Sequence, residues 1–204
     1  MNSCYHKEMR DITFAEKEFY HIYNRGVDRR KIIMNFEDLD RLMKSMMEFN
    51  TIEPIGSIYE NRERRRGSSG SMDQKMQRPL VNFVAYGINQ NHFHFILEQV
   101  EERGIEKFMH RFGTGFSKYF NAKHKRSGSL FQGKFKAKLI NSNEYLLHLS
   151  AYINLNHLAH NRGSRASTLG KASWEEYIRD NYPFALCKKN IILDQFKNKK
   201  AYKK

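Results

Sequence analysis

A chain of 204 residues is long enough for one sizeable domain and short for two. Its 36 Lys and Arg against 22 Asp and Glu give a formal charge of +14, a positive field that draws polyanions, nucleic acid first. No apolar run approaches the roughly 20 residues of a membrane-spanning helix, and Cys4 and Cys187 are too few for a disulfide framework and show no paired metal spacing.

Phe19 to Gly26 is aromatic and β-branched and ends at a glycine, which predicts a first strand. From Phe36 to Thr51, Leu39, Leu42, Met43, Met46, Met47 and Phe49 recur at helical spacing between charges, the pattern of an amphipathic helix. Residues 60–79 are basic and rich in Gly and Ser, with no apolar residue until Met72; a flexible basic insertion is expected there. Val81 to Tyr86 and His92 to Leu97 are strand-like runs separated by Gly87-Ile88-Asn89-Gln90-Asn91, which predicts a hairpin. A helical pattern follows from Ile105 to His124, weakened in its middle by Gly113 and Gly115 and stopped by Ser127-Gly128-Ser129. Phe131 to Ile140 reads as a last strand, with Lys134, Lys136 and Lys138 alternating against Phe135, Ala137 and Leu139. After the capping residues 141–144, a helix is predicted from Tyr145 to about His160, and a C-terminal tail from about residue 161, anchored by Trp174. The order β, α, β, β, α, β, α fits a single α+β domain over residues 1–204, a ferredoxin-like antiparallel sheet with helices packed on one face.

Two segments carry chemistry. In His92-Phe93-His94 the imidazoles at i and i+2 project from one face of a strand. Such a pair is costly to bury unless something accepts its lone pairs, and a divalent metal is the commonest partner; two polar residues on a wet strand face are the alternative. In the last helix Tyr152 and Asn156 stand at i and i+4 and share a face, while Leu146, Leu149 and Ile153 form the stripe that holds the helix on the sheet. A phenol beside two imidazoles and an amide suggests phosphoryl transfer. Neutral nitrogen and oxygen ligands suit magnesium or manganese when phosphate and water complete the shell, and zinc also binds imidazole.

Tyr20 to Gly26, Asn91 to His94, Arg126 to Lys136 and Tyr152 to Asn156, in that order, resemble the single-tyrosine HUH transposases, and within them the REP-associated tyrosine transposase branch of the insertion-sequence transposases. The resemblance runs from about Phe19 to Asn156 and implies a DNA transposase. In this reading His92, His94 and Asn156 hold a divalent metal, most readily magnesium or manganese, against a scissile phosphate of single-stranded or hairpin DNA. Tyr152 attacks the phosphorus, leaving a 5′-phosphotyrosine and a free 3′-hydroxyl for strand joining. Where relatives often carry Met-Pro before the Asn-His segment and Pro after the helix asparagine, this chain has Asn89-Gln90 and His157. The first change is expected to loosen the turn that aims the histidines, and the second to let the helix run past Asn156. Asn154 and His157 are alternative ligands on the same helix.

Beside a phosphate-handling site, Arg25, Arg111, Lys118, Lys123, Lys125, Arg126, Lys134, Lys136 and Lys138 are the candidate DNA-backbone contacts. Tyr119 is the second-ranked nucleophile, and His110, His124, His148 and His160 are read as ordinary helix residues. A cytoplasmic protein, monomer or homodimer, is expected. Two other classes stay in view: a DNA-binding protein that keeps the scaffold without the chemistry, and a metal-dependent nuclease that uses water.

Overall fold

Tyr20 and Ile22 alternate with His21 and Tyr23 along the first strand, and this two-residue period sends apolar side chains to one side of the sheet and imidazole and phenol to the other. The computed structural model describes residues 12–61, 78–159, 169–182 and 185–202, except the side chains of 156–159 and 200. Most of the basic insertion expected at 60–79, and the beginning of the tail at 161–168, lie outside the described residues.

The chain runs β1 (Phe19–Arg25), α1 (Phe36–Glu48), β2 (Val81–Ile88), β3 (His92–Gln99), α2 (Gly104–Lys123), β4 (Lys136–Leu139), α3 (Asn143–Ala159) and β5 (Lys171–Ala172). Short helices α4 (Trp174–Ile178), α5 (Asn190–Leu193) and α6 (Lys199–Tyr202) follow. The five strands form one sheet in the order β4-β1-β3-β2-β5, every pairing antiparallel. The first four strands have the expected ferredoxin-like order; β5 extends the sheet beyond it.

Phe93 and Phe95 of β3 face α2, where Phe93 meets Phe112 edge-on at 5.5 Å and Phe83 of β2 meets Phe108 at 5.4 Å. These rings are fully buried, each contributing on the order of 1.5–3 kcal/mol by leaving water. Gly113 and Gly115 do not interrupt α2. A Cβ on Gly115 would stand 2.5 Å from the Phe49 ring, so this glycine lets the end of α1 close on α2. α1 opens with a capping box: Asn35 accepts from the Asp38 N–H at 3.0 Å, and the Asp38 carboxylate accepts from the Asn35 N–H at 3.3 Å. Asp38 is wholly buried and also receives Lys123 Nζ and His124 Nε2, each at 3.0 Å, from the end of α2. Burial raises its pKa, but the Met34 N–H, Lys123 and His124 outweigh that and hold it below the ordinary carboxylate value.

α1 and α2 thus cover one face, as expected. α3 takes the other: a Cβ on Gly87, which pairs with His94, would stand only 2.9 Å from the Ile153 carbonyl oxygen. Leu146, Leu149 and Ile153 are buried, as their spacing predicts. The expected strand from Phe131 pairs regularly only over Lys136–Leu139. Gly133, at φ +70°, turns the chain before it, and Phe131 makes a lone bridge to Gly26. The tail docks by burying Tyr177 and Ile192 in the core and through polar contacts. Glu176 accepts from Tyr86 Oη at 2.8 Å and from the N–H groups of Leu186 and Cys187, both at 2.9 Å. Trp174 stacks toward Tyr202 with ring centres 5.8 Å apart. None of the described helices is long and apolar enough to cross a membrane.

Candidate active site

The register of the sheet decides which side chains share the α3 face. Tyr23 is paired with His94 on one side and Lys136 on the other, and His21 with Ile96 and Lys138. Cross-strand partners point the same way, so His21, Tyr23 and Arg25 of β1 join His92 and His94 of β3 and Lys136 and Lys138 of β4 on one surface. The two histidines of the triplet converge as expected, with ring centres 5.1 Å apart. α3 lies over part of this surface and brings Tyr152 to its edge. The phenol ring meets His94 edge-on at 6.3 Å and is 51% exposed, open to a substrate from solvent. Asn156 lies one turn further along α3, which continues past it to Ala159 as the missing proline predicts. The side chains of Asn156 and His157 lie outside the described residues. Asn154 points elsewhere: it is buried, accepts from Ser173 Oγ at 2.5 Å and donates to Tyr202 Oη at 2.8 Å.

The turn before the triplet is tied by backbone hydrogen bonds. The Asn89 N–H donates to the His92 carbonyl at 2.9 Å, and the Gln90 carbonyl accepts from Ile32 and Ile33 at 2.7 and 3.1 Å. The same turn sets the state of His92. Its Nδ1 lies 2.6 Å from Asn91 Oδ1, which can only accept, so Nδ1 carries the proton; its Nε2 lies 3.1 Å from the Asn89 amide nitrogen, which can only donate. The Nε2 lone pair therefore accepts from the Asn89 amide, and a metal on this nitrogen would have to displace that hydrogen bond. Among the described residues no three His, Cys, Asp or Glu side chains cluster as a metal site. A cation on this histidine pair would draw its other donors from amide, water or phosphate oxygen, which is how magnesium and manganese are commonly held. Two imidazoles are donors that a divalent cation can use.

His21 is a site residue that spacing alone did not single out. Its Nε2 lies 2.9 Å from His94 Nδ1, and its ring stacks on His94 at 5.1 Å and on Tyr23 at 4.8 Å. Burial, helped by the Lys138 charge on the neighbouring strand, lowers its pKa to about 4, so it is neutral at physiological pH. The sequence signal was its place two residues before Tyr23 in β1; the pairing with His94 lies 73 residues away and depends on register.

The basic residues divide between the two faces. Lys136 and Lys138 are exposed beside the histidines, and Lys138 also lies over the Tyr145 ring at 4.9 Å. Arg25 is exposed there too, donating to Gln132. Lys134 is exposed but precedes the strand, just after the Gly133 turn. Those of α2 lie on the far face. Arg111 donates to the carbonyls of Thr51 and Ile52 at 2.6 and 3.2 Å, and Lys123 is bound to Glu37, Asp38 and Tyr119. Arg126 lies over the Phe120 ring at 5.7 Å, and Lys125 follows the end of α2 at φ +49°. Tyr119 likewise stands in the α1–α2 contact, across the sheet from His92 and His94. A cavity of about 720 Å³ opens on that face between α2 and residues 128–137, lined by Phe93, Phe112, His110 and Lys118, and it shares no side chain with the histidine surface.

Comparison with known proteins bears on this arrangement. Residues 62–156, just under half the chain, match the family model described as "Transposase IS200 like", a stretch that contains His92, His94, Tyr152 and Asn156. No curated protein sequence matches. A solved structure, "Structure of the REP associates tyrosine transposase bound to a REP hairpin", aligns with a TM-score of 0.51 at 12% identity. It covers 87% of this chain and 89% of that one, a likeness of fold. The segment match likens residues 62–156 to the IS200-like transposases, the family the sequence resembles, and the structural likeness is one of fold.

Proposed function

We propose that this transposase relative cleaves and rejoins single-stranded, hairpin-containing DNA through a covalent bond to Tyr152. The observation that carries the reading is the exposed Tyr152 ring beside His94, on the sheet face that also presents His92, Lys136 and Lys138. The Tyr152 oxygen forms a bond to the scissile phosphorus as it loses its proton, and the 3′ oxygen of the upstream nucleotide leaves as a hydroxyl. One phosphodiester replaces another, so no external energy source is needed. His92, His94 and Asn156 would hold a divalent cation; when bound, it supplies a Lewis acid at the phosphoryl oxygen. Lys136 and Lys138 take flanking phosphates and hold the strand across the face. Arg25 contributes at the far end of β1.

The test is incubation of labelled single-stranded hairpin DNA with protein and Mg²⁺ or Mn²⁺, read on a denaturing gel. Wild type gives a protein–DNA adduct and Tyr152→Phe gives none. Absence of an adduct with every divalent ion, alongside intact DNA binding, leaves a DNA-binding protein without chemistry. Cleavage that survives Tyr152→Phe makes water the nucleophile and demotes the tyrosine.

A further inference from the structure

Asn154 follows Tyr152 by two residues, about 200° away around α3, and is wholly buried where Tyr152 is exposed. We propose that Asn154 is a positioning residue: its two hydrogen bonds to the C-terminal tail set where α3 lies on the sheet, and so place Tyr152 beside His94. This rests on the reading of Tyr152 as the nucleophile.

Leu146, Leu149 and Ile153 bury α3 against the sheet, but apolar burial is non-directional and tolerates a small slide or rotation of the helix. Helical side chains reach about 5–6 Å from the axis, so a rotation of about 10° already carries a side-chain tip about 1 Å. A directional tie removes that freedom. Asn154 supplies one at each end of its amide: the oxygen accepts from Ser173 Oγ at 2.5 Å, and the nitrogen donates to Tyr202 Oη at 2.8 Å. Ser173 is itself fixed to the strand beneath. Its Oγ accepts from the Tyr86 N–H at 3.0 Å, and its own N–H donates to the Tyr86 carbonyl at 2.9 Å. Tyr86 precedes Gly87, the cross-strand partner of His94. One chain of directional bonds thus runs from the β2 backbone beside His94, through the Ser173 hydroxyl, to the turn of α3 that carries Tyr152. Tyr202 is held in turn by ring contacts with Trp174, Tyr177 and Phe196 at 5.8, 5.2 and 5.3 Å. Ser173 and Asn154 are both wholly buried, and a satisfied polar network away from water fixes one arrangement of the elements it joins.

The experiment uses the full chain, at a temperature where circular dichroism shows each protein fully folded. 3-Fluorotyrosine placed at position 152 gives one ¹⁹F line that reports its surroundings without DNA or metal. Single-turnover adduct formation with saturating single-stranded hairpin DNA and Mn²⁺ reports the chemical step. Asn154→Leu removes both bonds; Tyr202→Phe removes one and keeps the ring contacts. In Asn154→Leu the ¹⁹F line is expected to move, and the adduct rate to fall on the order of 10–100-fold with hairpin affinity unchanged. Tyr202→Phe shifts both readouts the same way by less. A folded Asn154→Leu protein with a lowered Tm but an unmoved line and an unchanged rate overturns the proposal, since the bonds then serve stability alone. Loss of hairpin affinity matching the loss of rate overturns it too. If wild type makes no adduct, the nucleophile reading fails separately and the ¹⁹F line decides the placement: a moved line in Asn154→Leu supports it, an unmoved one overturns it. If Asn154→Leu loses its cooperative melt, Tyr202→Phe carries the comparison, and an unmoved line with an unchanged rate there is the overturning result.

Discussion

Gly87 sets how closely α3, which carries Tyr152, approaches the histidines, and Gly87→Ala tests that role directly. The added Cβ would lie 2.9 Å from the Ile153 carbonyl oxygen and 3.2 Å from its Cγ2. Relief to an ordinary contact requires α3 to move outward by about half an ångström, because the opposing atom is helix backbone and cannot rotate away. Overpacking of this kind costs about 1–3 kcal/mol. For a chain of this size each kcal/mol lowers Tm by about 2–4 °C, so a fall of roughly 2–12 °C is expected by calorimetry. Ile153 directly follows Tyr152, so the phenol moves with it. A misplacement of about 1 Å can cost on the order of 100-fold in rate, and half of that is expected to slow adduct formation about tenfold in single turnover. Binding of hairpin DNA is expected to change little, since Lys136 and Lys138 stand on another strand. A Gly87→Ala protein with unchanged Tm and unchanged adduct rate would refute the claim that this contact seats the helix.

Other perturbations separate the two faces. Lys136→Gln with Lys138→Gln is expected to reduce the slope of log affinity against log salt for single-stranded DNA by about 0.7 per lost phosphate contact, measured by fluorescence anisotropy. Arg111→Gln leaves that slope unchanged and lowers stability instead; a slope change in Arg111→Gln would put DNA on the α2 face. Ser173→Ala strands the buried Asn154 oxygen and is expected to cost about 1–3 kcal/mol in urea unfolding. A neutral result there would mean that the tail does not hold α3. Asp38→Asn removes a wholly buried carboxylate that serves both Lys123 and His124, and is expected to cost about 3 kcal/mol or more at pH 7. The folded pKa of Asp38 lies below its ordinary 3.8, so its contribution is present above 3.8 and is lost as pH falls through the folded value. Acid titration of the variant should lack that loss; an unchanged acid limb assigns it to other carboxylates.

The parts legible in the sequence are those governed by short-range periodicity. His92 and His94 share a face because strand side chains alternate, and Leu146, Leu149 and Ile153 are buried because helical spacing made one stripe of them. The expected βαββαβ order survived because each element carried its own pattern. What spacing could not supply was register between distant strands. His21 meets His94 only because β1 pairs antiparallel with β3 at one particular offset. The face of each lysine had the same dependence. Lys123 has the composition of a DNA contact, but the end of α2 closes on the cap of α1 and spends that charge on Asp38. Lys134 fits the strand alternation, yet Gly133 at φ +70° turns the backbone before pairing begins. The two-residue β5 is too short for any pattern, and its place beside Gly87 and Ile88 is decided by tertiary contact.

β4 is the outermost strand on its side of the sheet, paired only with β1 among the described residues, and it is four residues long. An open edge with unpaired peptide groups is a template for another chain's strand, and shortness and projecting lysines are the usual defences against it. Leu139, 41% exposed, sits on the same strand and would favour such pairing if the charges were gone. Under the proposed function Lys136 and Lys138 therefore carry two roles at once, strand binding and resistance to aggregation. Neutral variants should self-associate through β4 at high concentration, and glutamate at the same positions should restore solubility without restoring affinity for DNA.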